Sequence, residues 1–204
     1  MVRYALLGGS FDPVHIGHLF IADTVLHGVG PESVIFMPAQ VSPHKQDHNP
    51  VEARHRLEML TLATRGNRRF VVSDSELRRG GLSYTYDTVV ALMAELGCSP
   101  GEIGLVVGYD LVKGLPTWYR AGELFSLVRL IVLRRPGIIY TKEDEENLLG
   151  GFIRDPDWII PLENPGLEIS SSMIRRAIRR DEPYRYLLPE DVYDYIRENS
   201  LYSV

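Results

Sequence analysis

The chain has 204 residues, 45% of them hydrophobic, which is enough for one α/β domain with a sizeable core. Its formal net charge of −5 excludes a general attraction to nucleic acid or anionic lipid, so any bound anion must meet a local positive site. The single cysteine, Cys98, excludes an internal disulfide framework and a cysteine-built metal site, and it suits a reducing cytoplasm.

Val2–Leu7 is an apolar run ending in Gly8-Gly9 and predicts a buried strand. It is too short for the apolar part of a signal peptide, and no run approaches the length of a membrane span. From Gly17 to Leu26 the apolar residues Leu19, Ala22 and Leu26 recur at helical spacing. Ser33–Met37 predicts a second strand, and the polar stretch Pro38–Pro50, with three prolines, a loop. Val51–Thr64 predicts a helix, Arg69–Val72 a short strand, and Thr85–Leu96 a helix ended by Gly97. Ile103–Val107 and Val128–Leu133 are apolar strands, the second stopped by Pro136, and Trp158–Ile160 is a last short one. Ser171–Arg179 and Pro189–Asn199 close the chain as helices, while the acidic Glu143–Glu146 reads as a solvated helix face. Strands alternating with helices predict a Rossmann-like, doubly wound parallel sheet in one α/β domain over 1–204, with a small helical C-terminal part from about residue 165.

In such sheets ligands bind beyond the carboxyl ends of the strands, which directs attention to the loops near Gly8, Pro38, Ser73 and Gly108. The first runs Gly8-Gly9-Ser10-Phe11-Asp12-Pro13-Val14-His15-Ile16-Gly17-His18. Its glycines admit close approach of a ligand, and the helix start behind it offers free N–H groups to an anion. His15 and His18, three apart, share a face of a helical turn and could donate to phosphate oxygens. Neither the dinucleotide-binding glycine fingerprint nor a P-loop is present. The segment resembles the H-x-G-H signature of the nucleotidyltransferase superfamily of α/β phosphodiesterases.

A second phosphate candidate is Ile169-Ser170-Ser171-Ser172-Met173-Ile174-Arg175. Serines are favoured N-caps, and Arg175, read as part of the first turn, would oppose the helix dipole unless a polyphosphate were bound. The stretch resembles the superfamily's I-S-S-T-x-I-R motif, with Ser172 where threonine is usual.

The remaining loops are similar to those of the bacterial nicotinate mononucleotide adenylyltransferase family. The matching stretches are Ser42-Pro43-His44-Lys45, Ser83 to Thr88, Gly108-Tyr109-Asp110, Leu115 to Tyr119, Arg135-Pro136-Gly137, and Leu187 onward to Tyr202. The resemblance implies transfer of the adenylyl group of ATP to nicotinate mononucleotide, with Mg²⁺ carried on the ATP phosphates and no metal site on the protein. It implies catalytic contacts from His15, His18, Lys45 and Arg175. ATP would be bound by Gly8, Gly9, Ser10, Phe11, Gly108, Asp110, Ile169, Ser170 and Ser171. The mononucleotide would be bound by Ser10, Phe11, Thr85, Trp118 and Tyr119. Each position has an ordinary structural alternative: Lys45 a solvated loop charge, Asp110 a helix N-cap, Trp118 a core residue. The implied partners are small molecules, with no nucleic acid or membrane, and a homo-oligomer is left open. Rival readings are an adenylyltransferase for nicotinamide mononucleotide or phosphopantetheine, and a noncatalytic nucleotide-binding module. The phosphopantetheine enzymes lack the Ser-Tyr-Thr-x-Asp-Thr and Pro-Thr-Trp segments seen here.

Overall fold

A computed structural model describes residues 1–41, 50–134 and 156–203. The expectations for Lys45, for Arg135-Pro136-Gly137 and for Glu143–Glu146 lie outside the described residues. Among those described, six parallel strands form one sheet in the order β3-β2-β1-β4-β5-β6. They are β1 Tyr4–Gly9, β2 Ser33–Pro38, β3 Phe70–Val72, β4 Ile103–Gly108, β5 Val128–Arg134 and β6 Ile159–Glu163. Helices α1 Ile16–Gly28, α2 Ala53–Thr64, α3 Ser75–Arg79, α4 Thr85–Leu96, α5 Tyr109–Val112 and α6 Ala121–Leu124 connect them, and α7 Ser171–Arg179 and α8 Glu190–Glu198 follow the sheet. The doubly wound α/β expectation holds.

The central strands read as continuous apolar runs because both of their faces are covered. Alternate residues go to opposite sides. Ala5, Leu7, Val34, Phe36, Val106, Ile131 and Leu133 join the core under α1, α2, α7 and α8. Leu6, Ile35, Met37, Leu105, Val107, Leu130 and Val132 join the core under α4, α5 and α6. A buried leucine or isoleucine contributes roughly 1.5–3 kcal/mol, so a slip of one residue in any of these strands would be costly. Two glycines mark where neighbours touch backbone. A Cβ on Gly28 would stand 2.3 Å from Leu162 Cδ1, and one on Gly104 would stand 2.6 Å from Ile131 Cδ1. The helices after residue 165 place Ile174, Val192 and Ile196 in the same core as α1 and α2.

Strand order reverses between β1 and β4, so a crevice opens there at the carboxyl ends of both strands. Two sequence-based positions are corrected. Thr85 is not the N-cap of α4; that place is taken by Tyr84, whose extended backbone (φ −80°, ψ 127°) precedes Thr85 as the first helical residue. Arg175 is not in a first turn, because α7 begins at Ser171 and Arg175 lies in its second turn. The five-residue α3 was not expected at all.

Candidate active site

The loop after β1 is shaped by its aromatic residues. Phe11 is buried with a left-handed backbone (φ 49°), and its ring packs against Phe36 and edge-on to His18. A Cβ on Gly9 would stand 3.2 Å from that ring, so glycine lets the loop fold over it. The Phe11 side chain therefore supports the loop from behind, and only its backbone can face a ligand.

His15 is the N-cap of α1, with extended backbone, and its N–H donates to His18 Nδ1 at 3.2 Å. The two rings stack with centroids 3.7 Å apart. Because His18 Nδ1 accepts, its proton sits on Nε2, which makes that nitrogen a donor. His15 is buried, and burial pulls its pKa down to about 4, so it is neutral near pH 7. Its buried Nδ1 has no hydrogen-bond partner among the described residues. An orphaned polar atom costs free energy unless a ligand meets it.

Helix α7 joins this loop. Ser170 is its N-cap, and its Oγ accepts from Met173 N–H at 3.2 Å and lies 3.0 Å from Ser172 Oγ. Ser171 Oγ donates to the Pro13 carbonyl at 2.8 Å. Arg175 Nη1 donates to the Asp12 carbonyl at 2.6 Å and lies 3.6 Å from Asp12 Oδ2. This pairing with Asp12, from the second turn, removes the conflict with the helix dipole that the sequence implied. The Ser171 hydroxyl serves as a tether, leaving its backbone N–H for an anion.

Sequence reading missed the groups beneath the loop. Asp12 is 1% exposed, and its Oδ1 accepts from Tyr202 OH at 2.7 Å and Val51 N–H at 3.3 Å. Arg56 is 2% exposed and donates to the carbonyls of Ser10 (3.0 Å), Ala39 (2.7 Å) and Val51 (3.2 Å). One signal was available: Arg56 falls three and four residues before Met59 and Leu60, on the buried stripe of α2.

Two cavities flank the loop. One, of about 220 Å³, lies at the switch between β1 and β4 and is lined by Gly8, Gly9, Ser10, Met37, Ser83, Thr85, Val106 and Trp118, among others. Trp118 packs against the core and also borders this cavity. Glu76 also lines it; this buried carboxylate accepts from Thr88 Oγ1 at 2.5 Å, and Arg79 Nη2 donates to the same hydroxyl at 2.9 Å. Tyr119 is not part of the lining; its exposed ring rests on Tyr84, centroids 4.5 Å apart. The other cavity, of about 690 Å³, lies between α1 and residues 164–170, lined by His15, Gly17, Phe20, Leu167, Ile169 and Ser170, among others. Gly108 ends β4 and caps α5, which carries the exposed Asp110 in its first turn. Among the described residues no group of three His, Cys, Asp or Glu could hold a metal ion, and no helix is long and apolar enough to cross a membrane.

Comparisons with known proteins show the family and the fold. A family model described as cytidylyltransferase-like matches residues 6–177. A Bacillus subtilis protein named nicotinate-nucleotide adenylyltransferase is 36% identical over 203 residues, covering 100% of both chains. The chain belongs to the nicotinate-nucleotide adenylyltransferase family. Among solved structures, the fold is similar to that of Plasmodium falciparum nicotinic acid mononucleotide adenylyltransferase. The form complexed with APC gives a TM-score of 0.76 at 18% identity, covering 99% of this chain and 98% of that one. The form complexed with NaAD gives 0.76 at 19% identity with the same coverage. At such identities these two structures speak for the fold alone, and they place this family's chain on the same doubly wound scaffold.

Proposed function

We propose that this protein transfers the adenylyl group of ATP to nicotinate mononucleotide, yielding nicotinate adenine dinucleotide and pyrophosphate in NAD synthesis, in a cytoplasmic setting. One observation carries the reading: the single loop that holds His15 and His18 borders two cavities, with Gly8, Gly9 and Ser10 lining one and His15 and Gly17 the other, so ligands in both would approach the same loop. In this reading ATP enters the cavity beside Ile169 and Ser170, and the family resemblance assigns Gly108 and Asp110 to its ribose. The pyridine ring of the acceptor enters the cavity beside Thr85 and Trp118. The acceptor's phosphate oxygen attacks the α-phosphorus in line, and the bond to the departing pyrophosphate breaks as the new one forms.

No protein nucleophile is required. The protein aligns two anions and offsets charge, and positioning of this kind can supply roughly 7–11 kcal/mol. His15 and His18 donate to the phosphates, joined by Arg175, the backbone of Ser170-Ser171 and Lys45, which lies outside the described residues. Mg²⁺ arrives with ATP as part of the substrate and offsets charge on its phosphates.

The start of α4 supports a nicotinate acceptor. The N–H groups of its first turn have no partner within the helix, and Thr85 at that start lines the cavity. A carboxylate satisfies two donors and the partial positive charge of the helix end, whereas a carboxamide presents an NH₂ to one of them. With ATP and Mg²⁺ saturating, kcat/KM for nicotinate mononucleotide is expected to exceed that for nicotinamide mononucleotide at least tenfold, a difference of about 1.4 kcal/mol. Pyrophosphate release, followed with each acceptor and with phosphopantetheine, decides the matter. Equal efficiencies for the two pyridine nucleotides would remove α4 as the reader of the carboxylate, and turnover of phosphopantetheine alone would overturn the acceptor assignment.

Trp118 gives a second check. If its indole covers the pyridine ring, Trp118→Ala weakens mononucleotide binding by ~1–3 kcal/mol, as for other aromatic platforms, and leaves ATP binding unchanged. Calorimetric titration with each ligand separates the two. Equal weakening of both would make Trp118 a core residue only.

A further inference from the structure

Asp12 is the point at which four separate segments meet. It belongs to the loop after β1. Its carboxylate accepts from Val51, which leads into α2, and from Tyr202, which follows α8, while Arg175 of α7 bonds its carbonyl and faces its second oxygen. The Tyr202 hydroxyl is the contact made over the longest reach, 190 residues along the chain, at 2.7 Å. Tyr202 also holds a left-handed backbone (φ 65°), a conformation that a non-glycine side chain adopts at an energetic cost. The ring packs against the core beneath α1 and α2, so the ring alone accounts for burial. The hydroxyl adds a directed bond to a carboxylate that itself faces the arginine of the phosphate site.

We propose that Tyr202 is a positioning residue for adenylyl transfer: its hydroxyl fixes the Asp12 carboxylate, and Asp12 fixes the Arg175 guanidinium beside the His15–His18 loop. The proposal rests on the phosphate role of Arg175 given above. A carboxylate released by Tyr202 is free to turn toward Arg175 and hold it more tightly, drawing the guanidinium away from the phosphates. Burial and the neighbouring Asp12 charge both raise the Tyr202 pKa, so its hydroxyl remains a donor across the working pH range.

The test is Tyr202→Phe, which keeps the ring and removes only the hydroxyl, made alone and in an Arg175→Ala background. Turnover and the separate affinities for ATP and mononucleotide are measured for all four proteins. The expected result for the single variant is a fall in kcat approaching about 10²-fold, the cost of a small misplacement, with weaker ATP binding and unchanged mononucleotide binding. In the Arg175→Ala background the same substitution is expected to add little, because residues acting through one another are not additive. Asp12→Asn, which keeps shape but not charge, is expected to reproduce the selective loss of ATP binding. An equal loss from Tyr202→Phe in both backgrounds, or equal weakening of both ligands, would overturn the proposal in favour of a merely structural bond. Wild-type turnover of Tyr202→Phe beside an impaired Arg175→Ala would overturn this proposal alone. Wild-type turnover of Arg175→Ala would overturn the phosphate role of Arg175 and the proposal together.

Discussion

His18→Ala is expected to lower kcat by about 10²–10³-fold, the loss typical of removing one donor aimed at charge that develops in the transition state. The ring is placed for this task from three sides. Phe11 meets it edge-on at 4.9 Å, His15 stacks on it at 3.7 Å, and the His15 N–H fills its Nδ1. With Nδ1 occupied, Nε2 carries the proton. The same contact gives the residue a structural share. His18 side chain to N-cap N–H is half of a capping box, and losing it costs about 1 kcal/mol, or about 2–4 °C in Tm for a chain of this size. His18→Asn keeps a hydrogen-bond acceptor near the N-cap without an imidazole, so it is expected to recover the melting temperature but not the turnover. Pyrophosphate release at saturating substrates, with a thermal melt on each variant, checks both halves. Turnover near that of the unaltered protein in the alanine variant would refute the catalytic role of His18.

What the sequence revealed was local. The apolar runs of β1, β2, β4 and β5 and the boundaries of α4 and α7 follow from periodicity, caps and the left-handed Gly97 (φ 64°). The Gly-rich loop with its two histidines was recognisable because its chemistry is contiguous. The α4 cap was misplaced by one residue because a threonine hydroxyl is a better cap than a tyrosine side chain. The structure instead uses the extended backbone of Tyr84, with no side-chain bond. Helix α3 has five residues, fewer than two turns, so no period exists to detect. The larger omission is of contacts between distant segments. Ser171 with Pro13 and Tyr202 with Asp12 lie 158 and 190 residues apart, and no local pattern reports such a meeting. Glu76, Thr88 and Arg79 illustrate the same limit at shorter range, since only the meeting of α3 with α4 brings them together, Glu76 lining the cavity beside Trp118.

Arg56 carries the second large expectation, this time in stability. Its guanidinium bonds three backbone carbonyls, those of Ser10, Ala39 and Val51. Ser10 and Ala39 follow the carboxyl ends of β1 and β2, and Val51 precedes α2, so one side chain ties together the walls of the loop after β1. Burial lowers the Arg56 pKa, while the nearby Asp12 charge opposes that shift, and arginine stays charged throughout. A buried charge is sometimes replaced by an apolar side chain at no loss, because its partners can be replaced with it. That escape is closed here: the partners are main-chain carbonyls, which every substitution at position 56 leaves in place. Arg56→Met preserves the length and apolar contact of the stem but orphans all three. Each unsatisfied buried carbonyl costs ~1–3 kcal/mol, and partial access of water to the loops brings the sum to ~3–5 kcal/mol. At 2–4 °C per kcal/mol the melting temperature is expected to fall by on the order of 10 °C. Arg56→Lys is expected to recover only part of this, since an ammonium cannot reproduce the planar fork that reaches three acceptors. Thermal and urea melts of both variants test the claim. A methionine variant melting within about 2 °C of the unaltered protein would mean that water satisfies the three carbonyls once the guanidinium is gone, and the fork would then be a consequence of the loop's shape rather than its cause.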